Sequence, residues 1–332
     1  MNARRLGRNG PTVFPLALGC MGMSAMYGPA DEAESIATIH AALDAGITLF
    51  DTGDFYGIGH NERLVGRALG SRRKDVLLSV KFGALRAPGG GWTGVDGRAA
   101  SVKNFLAYSL ERLGTDVVDL YRPGRLDPNV PIEETVGAIA EMVKAGYVRH
   151  VGLSEVNADT VRKAQAVHPI VDVQLEYSLA SRSLEAQLPA LRSMGVGVTA
   201  YGVLSRGLLT GSAPKGPTDF RAWLPRFTGK NAETNQQARQ ALGALAARYG
   251  ATPAQLCIAW VLTKGADLVP VIGARTRVQL AEALGALKLE LSPEVLREVE
   301  AAVTPESIAG TRYAPEHMAM LDSERAVAPP RG

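Results

Sequence analysis

Three side chains raise the chemical question. Asp51 and Lys81 close two short apolar runs, 48–51 and 76–81, that read as neighbouring strands, and Tyr56 follows Asp51 by five residues. An Asp and a Lys ending adjacent buried strands should face each other, because neither charge is tolerated there alone. Tyr56 can fold back over the pair. Lys81 beside its phenol would favour the ionised form. Such a phenol can give its proton to a carbonyl oxygen as hydride arrives at the carbon, or take one back in reverse. The same spacing also describes a buried salt bridge with an incidental Tyr.

Other strand ends carry polar groups as well. Ser154 follows the run 148–153, Gln174 lies within 171–175, and Tyr201 ends 196–201. A Gln in an apolar run is costly unless its amide is bonded. It could meet the carboxamide of a nicotinamide, with Ser154 sharing the task, while Tyr201 could stack on the ring. A core Gln satisfied internally explains the same residue. Phosphates are expected near the last two strands and a following helix N-terminus. Gly202, Leu204, Arg206 and Gly207 make a flexible turn with donors there. Gly273-Ala274-Arg275-Thr276-Arg277 opens a helix that continues through Gln279 and Glu282. Two Arg beside free helix N–H groups suit a 2′-phosphate, which favours NADPH over NADH; two solvated arginines are the plain alternative. Gly22 and Met23, in the turn after the first strand, are expected on the cofactor side too.

The elements that must position these groups follow a rhythm. Apolar runs at 16–19, 48–51, 76–81, 117–121, 148–153, 171–175, 196–201 and 268–272 read as parallel strands buried on both faces. Helix-period segments at 32–45, 61–69, 101–113, 133–145, 158–167, 184–194 and 238–249 alternate with them, several closing on Gly. Ser292-Pro293-Glu294 starts a late helix. The turn Cys20-Met21-Gly22-Met23 is not GxGxxG, which disfavours an open doubly wound sheet. The expectation is a single α/β domain over 1–332, a (β/α)8 TIM barrel whose N-terminal β-hairpin at 5–14 closes the bottom. Long loops at about 82–99 and 211–235 and the tail 304–332 belong over the mouth, where barrels keep their chemistry.

Composition excludes several classes. The chain has 332 residues, 46% hydrophobic and 21% charged, which describes a globular core rather than a disordered or collagenous chain. A net charge of +3, with no basic run interleaved with aromatics, gives no footprint for nucleic acid. Cys20 and Cys257 are isolated in apolar surroundings and the histidines lack ligand spacing, so neither a disulfide framework nor a metal site is expected. No apolar run suggests a signal peptide or a membrane span, and a cytoplasmic location is the default.

Taken together the motifs resemble the aldo-keto reductase family, from Leu16 to about Met320. Asp51-Thr52-Gly53-Asp54-Phe55-Tyr56-Gly57, with Gly59-His60-Asn61-Glu62 and Gly66, is similar to its first signature. Pro131 through Thr135, then Gly146-Tyr147-Val148-Arg149 and Gly152-Leu153-Ser154, are similar to its middle one. Gly273 through Glu282 is similar to its cofactor-phosphate signature. The resemblance implies a barrel that binds NADPH in extended form and reversibly reduces a ketone or aldehyde. Tyr56 would be the acid, tuned by Lys81 and Asp51. Ser154 and Gln174 would hold the carboxamide and Tyr201 the nicotinamide ring. Gly202, Leu204, Arg206 and Gly207 would border the pyrophosphate. Gly273, Arg275, Gln279 and Glu282 would enclose the adenosine end.

Two departures stand out. Gly124, in Tyr121-Arg122-Pro123-Gly124-Arg125-Leu126-Asp127-Pro128, occupies the position of the family's usual His. Its loss should leave room for a water or a wider substrate and slow turnover about tenfold to a thousandfold. Ala283 stands where an Asn often contacts adenine. His60, His317 or Arg122 could replace the imidazole; His40 and His150 look misplaced. Trp92, Arg122, Gly124, Trp223, Tyr313 and His317 are the candidate substrate pocket, suited to an apolar or cyclic carbonyl compound or alcohol. Two rivals remain: a weakly catalytic or non-catalytic NADPH-binding redox-sensing subunit, and a Schiff-base lyase using Lys81 free of Asp51. The oligomeric state is open.

Overall fold

Each of the eight expected runs forms a strand, and parallel pairing closes them into one barrel. The computed structural model describes residues 2–24, 26–216 and 218–325, so the last part of the expected tail lies outside the described residues. A small antiparallel pair, β1 (Arg4–Arg5) and β2 (Thr12–Val13), comes first. The barrel begins with β3 (Ala17–Gly19), β4 (Leu49–Gly53) and β5 (Leu77–Phe82). After a second antiparallel pair, β6 (Ala84–Arg86) and β7 (Trp92–Val95), it resumes with β8 (Val118–Pro123), β9 (Val148–Ser154) and β10 (Ile170–Glu176). It ends with β11 (Gly197–Tyr201) and β12 (Leu268–Gly273), which pairs back onto β3.

The helices alternate with the strands as a (β/α)8 barrel requires. They are α1 (Glu32–Asp44), α2 (His60–Leu69), α3 (Ala99–Leu113), α4 (Ile132–Lys144), α5 (Ala158–Gln165) and α6 (Leu188–Ser193). The series continues with α7 (Gly229–Arg248), α8 (Pro253–Thr263), α9 (Arg277–Gly285), α10 (Pro293–Ala302) and α11 (Pro315–Met318). Local chemistry sets their ends. Asp31 caps α1 by accepting from Glu34 N at 2.8 Å, and Thr252 with Gln255 forms a capping box around Pro253. No described helix is long and apolar enough to cross a membrane.

Side chains alternate across each strand, and the two faces differ. Outward residues such as Phe50, Val80, Tyr121 and Leu153 join the helices in the main core. Inward residues near the lower end, Ala17, Leu49, Leu120, Val269 and Val271, form a second apolar cluster. Leu6 and Val13 from the hairpin pack into that cluster and close the lower end. Above it the interior turns polar, with Asp51, Ser79, Lys81, Arg122, Asp172, Gln174 and Thr199 all buried.

Four local expectations are corrected. The 82–99 region is no featureless loop, since it holds the β6–β7 pair. The 211–235 loop ends early because α7 starts at Gly229; its first two turns are polar and show no apolar stripe. Helix α8 is an addition to the expected segments: Ala-Gln-Leu-Cys-Ile-Ala-Trp-Val-Leu is nearly apolar all round, so it shows no helix-period stripe, and its residues are buried nearly throughout. The segment 184–194 is a short turn followed by α6, broken where Pro189 enters the first helical turn.

Candidate active site

Strands β4 and β5 pair with Asp51 opposite Ser79 and Gly53 opposite Lys81. Inward residues two apart on each strand therefore stack at the barrel centre. Lys81 Nζ donates to Asp51 Oδ2. The other carboxylate oxygen accepts from Ser79 Oγ at 2.8 Å and from Gln174 Nε2 at 3.0 Å. Lys81 Nζ lies 5.2 Å from the centroid of the Tyr56 ring. The expected trio does meet.

Its electrostatics differ from the expectation. Burial pushes the Tyr56 phenol well above its ordinary value, and the Asp51 charge pushes the same way. Burial and the Asp51 charge thus favour the neutral phenol, and the ammonium beside it is bound to Asp51. Burial also lowers Lys81, with Asp51 opposing and Arg122 reinforcing the shift. For Asp51 burial works against ionisation, yet Lys81 and then Arg122 hold its carboxyl below the usual range.

Arg122 does not reach a substrate pocket. It is fully buried on the inner face of β8 and ion-paired with Asp172 at 3.0 Å. The same guanidinium donates to Thr199 Oγ1 at 3.2 Å and to Ser79 Oγ at 3.1 Å. It forms a polar floor joined through Ser79 to Asp51. The strand alternation that points Lys81 inward points Arg122, its register partner, inward as well.

The space expected at Gly124 is filled. A Cβ there would lie 3.1 Å from Phe55 Cε1 and 3.3 Å from Phe82 O. The Phe55 ring packs edge-on against Tyr56, with centroids 4.9 Å apart, and against Trp92 at 6.2 Å. No imidazole takes over. His317 is exposed on α11, His60 bonds Ser24 Oγ at 2.9 Å, His40 bonds Ala68 O at 2.8 Å, and His150 lies at the lower end beside Leu6. Trp223 is 72% exposed and its side chain faces solvent. Tyr313 does come to the mouth: its hydroxyl is 3.4 Å from that of Tyr201 and 3.4 Å from Arg125 Nη2. Ser154 is buried opposite Gln174.

A cleft of about 1010 Å³, open solvent included, crosses the tips of β11 and β12. Gly202, Leu204, Arg206 and Gly207 line one side, and Gly273, Arg275, Gln279 and Glu282 the other, with Gly22 at the edge. Met23 is not among them; its side chain is buried in the core. The turn after β11 is held in left-handed backbone at Gly202, Ser205, Arg206 and Gly207, a conformation costly for the two non-glycine residues. At Gly207 a Cβ would lie only 2.6 Å from Ser212 Cβ. Arg206 Nη2 is bound to Glu176 at 2.7 Å. Arg275 Nη1 reaches the carbonyls of Tyr27 at 3.0 Å and Pro29 at 3.2 Å. Arg277, expected beside it, pairs instead with Glu34 of α1 at 2.8 Å.

Some contributors carry no motif. Tyr27 and Arg221 also line the cleft, their side chains in contact with each other. Glu155 and Glu176, at the tips of β9 and β10, anchor Arg312 of the tail at 2.9 and 3.3 Å. A carboxylate just past Ser154 and another two residues past Gln174 are the only local hints of that anchor.

A closed eight-stranded parallel barrel with a buried Asp–Lys–Tyr group and a cleft ending on a helix N-terminus defines a cofactor-sized barrel site. The Aldo/keto reductase family model matches residues 15–304, and the chain belongs to that family. "Probable aldo-keto reductase 1" of Glycine max is 39% identical over 315 residues, covering 93% of this chain and 91% of that protein. The glycerol dehydrogenase of Gluconobacter oxydans superposes with a TM-score of 0.81 at 28% identity, covering 93% of this chain and 98% of that one. A holo-form aldo-keto reductase from Bacillus halodurans gives 0.76 at 28% identity, covering 94% and 98%. Membership supports an oxidoreductase activity of the aldo-keto reductase type, linked to NADPH.

Proposed function

We propose that the protein reversibly reduces a ketone or aldehyde, with Tyr56 as the acid and Lys81 and Asp51 positioning it. The observation that carries this reading is the Tyr56 ring over Lys81 Nζ, itself held by Asp51. NADPH bound in the cleft would supply the hydride. The residues present fit such a cofactor: glycine-built walls at Gly202 and Gly207, α9 opening at the rim, and Arg275 at the far side. In this reading Arg275 meets the 2′-phosphate, Tyr201 supports the nicotinamide ring, and Ser154 with the Gln174 amide holds the carboxamide. Because Gln174 Nε2 is committed to Asp51, its carbonyl oxygen is the atom left for that contact. Tyr56, neutral in its buried setting, gives its proton to the carbonyl oxygen. Lys81 then faces the resulting phenolate and stabilises it. In this reading the rings of Trp92, Phe55 and Tyr313, close to Tyr56 and Tyr201, would meet an apolar or aromatic substrate body.

Gly124 at the position of the family's usual His favours the redox-sensing alternative. The engagement of Lys81 by Asp51 speaks against a Schiff base. One assay decides: aldehydes and ketones are followed at the NADPH absorbance band, with nicotinamide fluorescence reporting binding. The expected result is turnover that Tyr56→Phe lowers by about 10²- to 10⁴-fold while cofactor quenching persists. Binding without turnover of any carbonyl compound would leave the sensing subunit; full activity in Tyr56→Phe would remove the acid assignment.

A further inference from the structure

We propose that Arg125 is an anion subsite for the substrate, holding a carboxylate on the carbonyl compound presented to Tyr56. The preferred substrates are then oxo-acids. This inference rests on the reductase reading above and adds the substrate class to it.

Most ionised side chains around the mouth sit in ion pairs; Arg125 and the Asp54 carboxyl do not. Lys81 has Asp51 and Arg122 has Asp172. Arg206 has Glu176 at 2.7 Å, and Arg226 has the same carboxylate at 3.7 Å. Arg312 has Glu155, Glu176 and Glu324, all within 3.3 Å. Arg125, half-buried among them, donates to Gly124 O at 2.7 Å and approaches Tyr313 Oη at 3.4 Å. Both of those partners are neutral. Among the described residues no carboxylate forms an ion pair with Arg125; Glu155 acts on its charge from farther off but is itself bound to Arg312 and Ser323 Oγ. A partly buried guanidinium with no carboxylate in contact can take an anionic ligand on its remaining N–H groups.

The position of Arg125 says which anion. Gly124, immediately before it, faces the Phe55 ring, which packs on Tyr56. On its other side Tyr313 connects it to Tyr201 by two hydroxyl contacts of 3.4 Å. Arg125 therefore lies between the acid and the ring support, and it is not among the residues lining the dinucleotide cleft. Its positive charge also acts on the Tyr56 phenol, opposing the upward pull of burial. A planar guanidinium with free N–H groups suits the two oxygens of a carboxylate better than a single carbonyl. Phe55 packs on Tyr56 and Trp92, and the Tyr313 ring lies 6.0 Å from the Arg125 guanidinium, so aromatic rings neighbour both groups and an aromatic substrate body suits them.

The test pairs an acid with its neutral relative. With NADPH and wild-type protein at low ionic strength, 4-carboxybenzaldehyde should exceed its methyl ester in kcat/KM by about tenfold to a hundredfold. The gain should lie mostly in KM and shrink with added salt. Arg125→Met should bring the ratio close to one, and Arg125→Lys should restore part of it. A second arm needs no turnover: benzoate should bind the NADP⁺-loaded protein about tenfold more tightly than benzamide, and Arg125→Met should erase the difference. Equal turnover of acid and ester, or equal binding of benzoate and benzamide, overturns the subsite on wild-type protein alone. If benzoate keeps its advantage while no carbonyl compound is reduced, the subsite stands and the reductase reading falls.

Discussion

The cleft proposed for the cofactor and the mouth proposed for the carbonyl share the upper rim of one barrel, yet they are built from different materials. The cleft is shaped by backbone: left-handed residues from Gly202 to Gly207, the opening of α9, and one arginine resting on carbonyls. The mouth is shaped by buried charges that neutralise one another across strands distant in sequence. Away from Gly202 and Gly207, where a Cβ would clash, a backbone site tolerates changes in side chain, because its donors belong to the main chain. A side-chain site does not, because removing one ion leaves its partner buried and unpaired.

The largest effect should come from breaking the floor of the mouth. Arg122→Met leaves Asp172 as an uncompensated carboxylate with almost no solvent contact, at a cost of about 3–5 kcal/mol. Denaturant midpoints would show it. Arg122→Met with Asp172→Leu should recover most of the loss, since an apolar pair of similar volume needs no counter-charge. If the double variant is as unstable as the single one, the pair matters for packing rather than charge, and the contrast with the cleft weakens.

Next comes a carboxyl beside Tyr56. Burial, reinforced by Glu62, pushes Asp54 up to about 7. Asp54 Oδ1 is buried without a hydrogen-bond partner among the described residues, while Arg112 pairs with Glu62 rather than with Asp54. The folded chain holds this proton more tightly than the unfolded chain does. The resulting stability is fully present below about pH 4 and is lost as pH rises through about 7. Asp54→Asn should therefore be more stable than wild type at pH 8, by about 2–4 kcal/mol, and should match it at pH 3.5. Thermal or urea unfolding across that range would test the slope. A constant difference at every pH would show that the Asp54 charge is not the cause.

These two cases show what could be read in advance. Asp51, Tyr56 and Lys81 were legible because each stands at or just past a strand tip, and the glycines and Arg275 because they follow one another along short turns. Arg122, expected in the pocket, lies in the barrel interior, where Ser79 with Lys81, and Asp172 with Gln174, repeat at the two-residue period of an inward face. That alternation marks a polar layer inside runs that otherwise read as apolar. The filling of Gly124 by Phe55, and the absence of an ion pair at Arg125 among the described residues, depend on segments far apart in sequence. No local pattern carries either.

On the cleft side a smaller effect is expected. Arg275→Met removes a guanidinium resting on three backbone carbonyls, which should cost no more than about 1 kcal/mol of stability. If that arginine meets the 2′-phosphate, the NADPH dissociation constant should rise about tenfold while that for NADH stays unchanged. Equal weakening of both would assign Arg275 to holding the 27–29 segment over the cleft instead.

The smallest effect should sharpen the comparison most. Gly124→Ala places a methyl group 3.1 Å from Phe55 Cε1 and 3.4 Å from Phe55 Cζ, beside the fixed carbonyl of Phe82 at 3.3 Å. The backbone there accepts an L-residue, so the ring must give way by a few tenths of an ångström, at about 1 kcal/mol or less. That ring touches both Tyr56 and Trp92, so the shift reaches the acid directly. Carbonyl turnover should fall a few-fold while NADPH binding, a property of the cleft, stays where it was. Gly124→His should lose more than Gly124→Ala, because an imidazole cannot enter while Phe55 occupies the space. If Phe55→Ala then lets Gly124→His regain activity, the mouth has exchanged an imidazole for an aromatic ring rather than for solvent. If Gly124→His alone speeds the reaction, Phe55 yields readily and the packing seen at Gly124 does not govern the chemistry.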